Sequence, residues 1–417
     1  MHILQVVVPF FIAGFGTCVA GLLLDHVQYW SVFKEVDSLF LLVPALLGLK
    51  GNLQMTLASR LSTHSHLGHM KTKRDLFSLT CANLSLNQCL STAISLCASI
   101  LVVIIHFFLS DLFDIQHALL IMATALLTSS VTSFVLDIIM ILVVHISARF
   151  DINPDNVATP IAASLGDITA LVQCSHLANA FYDIRASNTF YWLTGLVIIV
   201  YIGLLPFFVS VTQENTHTDK ILVQASHWYP LITAMVISTI SGVILKLTVF
   251  KSNDIALFQP VINGVGGNLV AVQASRLSTL LHRNYPPGQL PDNESVCMNP
   301  SHMFCSNQSG FLMTRLLMFI VIPGQLVFYF FCILVNTEKS DPSIPFLLLY
   351  ITGSEIQVMI LLYLAHVLTY LLWTHRVDPD NCTIPYLTSL SDVVGSCIIT
   401  VICLFAIPSM PKQTSKR

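Results

Sequence analysis

Long apolar runs separated by short polar segments make up most of the chain. A helix that crosses a membrane needs about 20 predominantly apolar residues. Eleven runs qualify as predicted spans, at 4–24, 38–59, 78–108, 117–147, 160–181, 190–211, 222–250, 256–275, 311–335, 345–373 and 385–407. The pattern therefore predicts an all-α, polytopic membrane protein with about eleven transmembrane helices.

Two polar phrases interrupt this pattern, and each occurs twice. GNLQMTLASRLST at 51–63 matches GNLVAVQASRLST at 267–279 in nine of thirteen positions. PDNVATPIAASLGD at 154–167 matches PDNCTIPYLTSLSD at 379–392 in seven of fourteen. The first phrase falls on the second and eighth spans, and the second phrase opens the fifth and eleventh. Because an offset of six spans is even, both copies cross the membrane in the same direction, as parallel repeats.

The repeats divide the chain into four predicted segments. A first five-helix repeat covers 1–189, a linking transmembrane helix 190–212, a second five-helix repeat 213–407 and a polar tail 408–417. The first apolar run has no basic leader before it, which favours a membrane helix over a cleaved signal peptide. Its abrupt start leaves room for a longer N-terminal region. The loop at 60–76 is basic, and the positive-inside rule places it in the cytosol.

Composition supports a lipid-embedded chain and excludes several function classes. Hydrophobic residues make up 54% and charged residues only 10%, whereas soluble proteins carry about 25% charged residues. A net charge of −3 gives no basic footprint for nucleic acid. No phosphate-binding loop, nucleophile elbow or metal-hydrolase motif is visible, so neither an enzyme, nor a bound cofactor, nor ATP-driven transport is expected.

Two intramembrane carboxylates, Asp167 and Asp392, recur at matching positions of the two repeats. Ionisable groups inside a membrane are costly and usually functional. Ser164 and Ser389 stand three residues before them, on the same helix stripe. The two stripes are predicted to face each other across a shared pathway. The alternative is that each aspartate caps or pairs with a neighbouring helix.

The predicted ligand of this pathway is a hard divalent cation. Mg²⁺ gives up water reluctantly and is bound through one or two carboxylates, whereas Ca²⁺ prefers a richer cage of direct ligands. Zinc and copper prefer histidine and cysteine. The loop histidines His64, His66 and His69 keep a zinc transporter open as an alternative.

The glycine-rich phrases contribute further candidates. Asn52 and Asn268 follow glycines that permit either close helix packing or a helix break. We expect both asparagines to lie beside the pathway. A second group of polar residues recurs at its predicted cytosolic mouth, either to gather cations or to cap helices. These mouth residues are Asp155, Asn156, Asp380 and Asn381.

PVINGVGGNLVAVQASRLST and NPDNVATPIAASLGD resemble the membrane domain of MgtE-type magnesium transporters. The two fused copies resemble the animal solute carrier family 41. This resemblance implies one central pore, here formed within a single chain, in which Asp167 and Asp392 coordinate hydrated Mg²⁺. It also implies that exchange with Na⁺ drives Mg²⁺ outward. Lys50 departs from the pattern, because the second repeat has Gly266 there. Asp137, Glu355 and His366 are also unusually polar for the family.

The sequence thus predicts a multi-pass magnesium transporter of the plasma membrane, with the mitochondrial inner membrane as the alternative location. A magnesium channel without sodium coupling and a transporter of another divalent ion such as zinc are the alternative functions. A membrane scaffold without transport is disfavoured, because both aspartates are intact.

Overall fold

The computed structural model describes residues 4–66, 73–110, 114–149, 154–214, 216–223, 225–249, 253–291, 295–305, 312–336 and 344–406. Within these ranges all regular structure is helical. The helices are α1 (Leu4–Val27), α2 (Ser31–Glu35), α3 (Leu39–His66), α4 (Lys73–Ser110), α5 (Ile115–Arg149), α6 (Pro154–Asp183), α7 (Asn188–Gln213), α8 (Thr216–Val223), α9 (Ala225–Thr248), α10 (Asn253–Asn284), α11 (Pro300–Cys305), α12 (Leu312–Val335), α13 (Ile344–Thr374) and α14 (Pro379–Ala406).

Ten of the helices in the described ranges are long and apolar enough to cross a membrane. They correspond to every predicted span except the fifth. That span is also a helix, the 30-residue α6, but its first eleven side chains lie outside the described residues. The prediction of an all-α polytopic membrane protein is confirmed. The predicted count of about eleven transmembrane helices therefore stays a prediction for the fifth span.

The two predicted repeats interlock through their first helices. Helix α1 packs on α10, and the equivalent α9 packs on α3. Gly21 in TCVAGLLLDHV and Gly242 in the matching STISGVILKLT lie at these crossings. A Cβ atom at Gly242 would approach the backbone oxygen of Leu41 to 2.5 Å, and one at Gly21 would overlap that of Leu257. Glycine therefore allows each crossing to be close.

Packing inside each half follows one pattern. Helix α6 packs on α1, α3 and α5, while α14 packs on the equivalent α9, α10 and α13. Both aspartate-bearing helices are thereby central. The linking helix α7 packs outside this arrangement against α4 and α5, and exposes Trp192, Ile199 and Phe207. The segment limits 1–189, 190–212 and 213–407 stay predictions, and the tail 408–417 lies outside the described residues.

Candidate functional site

A cavity of about 90 Å³ lies between the two halves. Its volume has room for several water molecules or a small hydrated ligand. Most of its wall comes from positions that are equivalent in the two halves. These pairs are Leu24 and Leu245, Pro44 and Pro260, Gly48 and Gly264, Gly51 and Gly267, Asn52 and Asn268, and Asp167 and Asp392. The duplicated phrases therefore build one shared site.

The predicted carboxylates Asp167 and Asp392 both line this cavity, and they interact electrostatically across it. None of the described residues that line the wall is basic. Two acidic side chains in a low-dielectric interior repel each other and attract a cation. The cavity thus has the electrostatic character of a cation site.

The two carboxylates have different surroundings. Ser238 on α9 donates a hydrogen bond of 2.8 Å from its Oγ to Oδ2 of Asp392. Its equivalent on α1, Thr17, instead donates to the backbone oxygen of Gly14 at 2.8 Å and packs its methyl group against Gly264. Asp167 has no hydrogen-bond partner in the part of the chain that the structure describes. One carboxylate is therefore held in place and the other is not.

The predicted asparagines also reach the cavity. Asn52 is buried, and its Oδ1 accepts a hydrogen bond of 3.1 Å from Thr388 Oγ1. That bond joins α3 of the first half to α14 of the second. Asn268 lies in the wall at the equivalent position. Helices α3 and α10 run unbroken through both glycine–asparagine phrases, so the glycines do not break either helix. Gly48, Gly264 and Gly266 allow close packing, whereas a Cβ atom at Gly51 would meet nothing within 4 Å.

One wall of the cavity is more polar than the other. Gln259 and Asn263 line it from α10, where α3 has Val43 and Leu47. Gln259 Nε2 donates to Ser396 Oγ at 2.6 Å, which ties α10 to α14. Gln259 and Asn263 were not predicted from the sequence. Aligning the two repeats would have identified them, because the equivalent residues in the first repeat, Val43 and Leu47, are apolar.

Among the predicted pathway residues, Ser389 needs correction. It is buried away from the cavity, and its hydroxyl donates to the backbone oxygen of Tyr386 on its own helix at 2.9 Å. Thr388, one residue earlier on α14, lines the wall instead. The side chains of the other candidates lie outside the described part of the chain, namely Ser164, Asp155, Asn156, Asp380, Asn381, His64, His66 and His69.

The other polar residues singled out in the sequence lie away from this cavity. Lys50 and Asp137 are fully buried between α3, α4 and α5. His366 Nε2 donates a hydrogen bond of 3.1 Å to the backbone oxygen of Ser295. Glu355 is on α13 and does not line the cavity wall.

The sequence profile of the MgtE family, described as a divalent cation transporter, matches the chain twice, over residues 43–175 and 259–402. Each match includes one glycine–asparagine phrase and one aspartate of the cavity. No solved structure matches the chain.

Similar curated proteins cover almost the whole chain. Human solute carrier family 41 member 2 is 40% identical over 400 residues, which are 95% of this chain and 69% of the relative. Mouse solute carrier family 41 member 3 is 41% identical over 404 residues, or 96% of this chain and 82% of the relative. Rat member 3 is 40% identical over 95% of this chain and 86% of its own length.

Proposed function

Because the chain belongs to the MgtE family of divalent cation transporters and, within it, to solute carrier family 41, we propose that it moves Mg²⁺ across a membrane. The ion passes through the cavity between Asp167 and Asp392. Both sides of the route come from one chain, so no second copy is needed to complete it. We expect the plasma membrane to be its location.

The observation that carries this proposal is the pair of equivalent carboxylates on one small cavity without a basic neighbour among its described lining residues. Mg²⁺ usually keeps several of its water molecules and binds through one or two carboxylates. Oxygens of Asn52, Asn268 and Thr388 can accept hydrogen bonds from those waters. The cavity therefore offers two negative charges and a polar wall for a partly hydrated ion.

We further propose that Na⁺ exchange drives the movement of Mg²⁺. The test uses the purified protein in liposomes that contain a fluorescent Mg²⁺ indicator. The membrane potential is clamped by K⁺ and valinomycin, while the Na⁺ gradient is varied and Zn²⁺ is added as a competitor. We expect Mg²⁺ flux to follow the Na⁺ gradient and to exceed that of protein-free liposomes.

The outcomes of this test are separable. If flux is present but ignores Na⁺ at a clamped potential, the exchange proposal is wrong and a channel is supported. If Zn²⁺ carries the flux and Mg²⁺ does not, the ion has been misassigned. If Mg²⁺ flux equals that of liposomes without protein, the transport proposal itself fails.

Ser238→Ala should weaken Mg²⁺ binding without abolishing transport. The hydroxyl orients the Asp392 carboxylate, and hydrogen bonds to charged groups contribute about 1.5–3 kcal/mol. We expect the Mg²⁺ concentration for half-maximal flux to rise by about tenfold or more, with little change in maximal rate. The control is Ser210→Ala on α7, whose exposed hydroxyl donates only to its own helix. Equal half-saturation in both variants would contradict the positioning role of Ser238.

A further inference from the structure

The ammonium group of Lys50 lies in a cage of oxygen atoms inside the first half. Lys50 Nζ donates to Ser91 Oγ at 2.8 Å, to Ser129 Oγ at 2.9 Å and to Ser133 Oγ at 2.6 Å. The backbone oxygen of Ser129 is a fourth acceptor. All four residues are 0% exposed. The ammonium is thus removed from water and surrounded by hydroxyl and carbonyl oxygens from α4 and α5.

A carboxylate of opposite charge lies near Lys50 in the same half. Asp137 follows Ser133 by one turn of α5, is also fully buried, and interacts electrostatically with both Lys50 and Arg60. Its Oδ1 accepts hydrogen bonds from Gln54 Nε2 at 2.8 Å and from the Asn87 amide at 3.0 Å. Its Oδ2 has no hydrogen-bond partner among the described residues. The carboxylate is therefore a counter-charge for a buried cation.

The second half has no such arrangement among its described residues. Gly266 stands where the first half has Lys50, and a Cβ atom there would lie 2.7 Å from Gln357 Nε2 and 2.8 Å from Ser391 Oγ. These side chains fill the space that a lysine would need. One turn further along, Val270 packs with Leu361 and Ala365 in an apolar cluster. In the part of the chain that the structure describes, the cage therefore belongs to the first half.

Oxygen atoms from hydroxyl and carbonyl groups that replace a hydration shell, with a carboxylate nearby, are the ligands that a small monovalent cation requires. We propose that the cage formed by Ser91, Ser129 and Ser133 is a monovalent-cation site whose permanent occupant is the ammonium of Lys50. The first half thus carries its cation covalently attached. Removal of the lysine side chain creates a site for Na⁺, K⁺ or methylammonium from solution. This inference is independent of the proposed function.

The test measures thermal unfolding of the purified full-length protein in detergent, with choline, sodium, potassium or methylammonium chloride at one ionic strength. Wild type should unfold at the same temperature in all four salts. Lys50→Ala should unfold at a lower temperature in choline, which is too large for the cage. A small cation that binds the folded state should raise that temperature saturably, by about 5 °C or more.

Three controls make the result specific. Lys50→Met fills the space without a charge and should be destabilised but unresponsive to cations. Lys50→Ala combined with Asp137→Asn should lose the response, because the counter-charge is gone. Lys34→Ala, at an exposed lysine, reports general salt effects. The proposal is overturned if Lys50→Ala responds to none of the small cations, fails to fold in all of them, or responds no more than Lys34→Ala.

Discussion

Asp392→Asn is expected to lower Mg²⁺ flux in liposomes by at least about tenfold, and Asp167→Asn by a similar factor. At about 5 Å and an effective dielectric constant of about 20, a carboxylate attracts a divalent ion by several kcal/mol. Each 1.4 kcal/mol lost corresponds to about a factor of ten. Asparagine keeps the size of the side chain and removes only the charge, so the loss reports the electrostatic contribution.

Glu355→Gln is the matched control for both variants. It also removes a carboxylate from a membrane-spanning helix, but Glu355 does not line the cavity. Its flux should stay near that of wild type. Wild-type flux in both aspartate variants would exclude the cavity as the route. An equal loss in Glu355→Gln would mean that charge anywhere in the helices matters, and not the pair at the cavity.

Gly242→Ala and Gly21→Ala are expected to lower the unfolding temperature by several degrees and to reduce the yield of folded protein. The added methyl group at Gly242 would lie within 3.0 Å of three backbone atoms of Leu41. Backbone cannot move aside as a side chain does, so α9 must shift away from α3. Overpacking of this kind costs about 1–3 kcal/mol. Because α3 and α9 both line the cavity, flux should fall as well.

The matched controls are Gly195→Ala and Gly203→Ala on α7. A Cβ atom at either glycine would meet nothing within 4 Å, and alanine favours a helix over glycine by up to about 1 kcal/mol. Both controls should unfold at or above the wild-type temperature, which thermal unfolding in detergent measures. If Gly242→Ala were as stable as Gly203→Ala, the close crossing of α9 and α3 would not contribute to stability.

Repetition is what made the cavity predictable from the sequence. Asp167, Asp392, Asn52 and Asn268 each stand in a phrase that occurs twice, and a pseudo-twofold arrangement places equivalent residues at one axis. The choice between Ser389 and Thr388 was not predictable in the same way. It depends on how α14 is rotated relative to its neighbours, and both positions are compatible with one stripe of an isolated helix.

Contacts between the halves were the other part that the sequence did not predict. Ser238 and Asp392 are 154 residues apart, and no local pattern links a serine on one helix to a carboxylate on another. The packing of α1 against α10 is likewise a tertiary contact that no local sequence pattern predicts. Its one sequence signal is the glycine shared by TCVAGLLLDHV and STISGVILKLT, which becomes informative only after the two segments are aligned.

The linking helix α7 changes how the two halves can evolve. In a symmetric pair of identical subunits every substitution occurs twice, so a lysine or an amide would have to be tolerated in both copies. Joining the halves in one chain removes that restriction, and it also removes the entropic cost of bringing two partners together. Lys50, Gln259 and Asn263 each occur in one half only. Covalent fusion thus allows one half to specialise without the same substitution in the other.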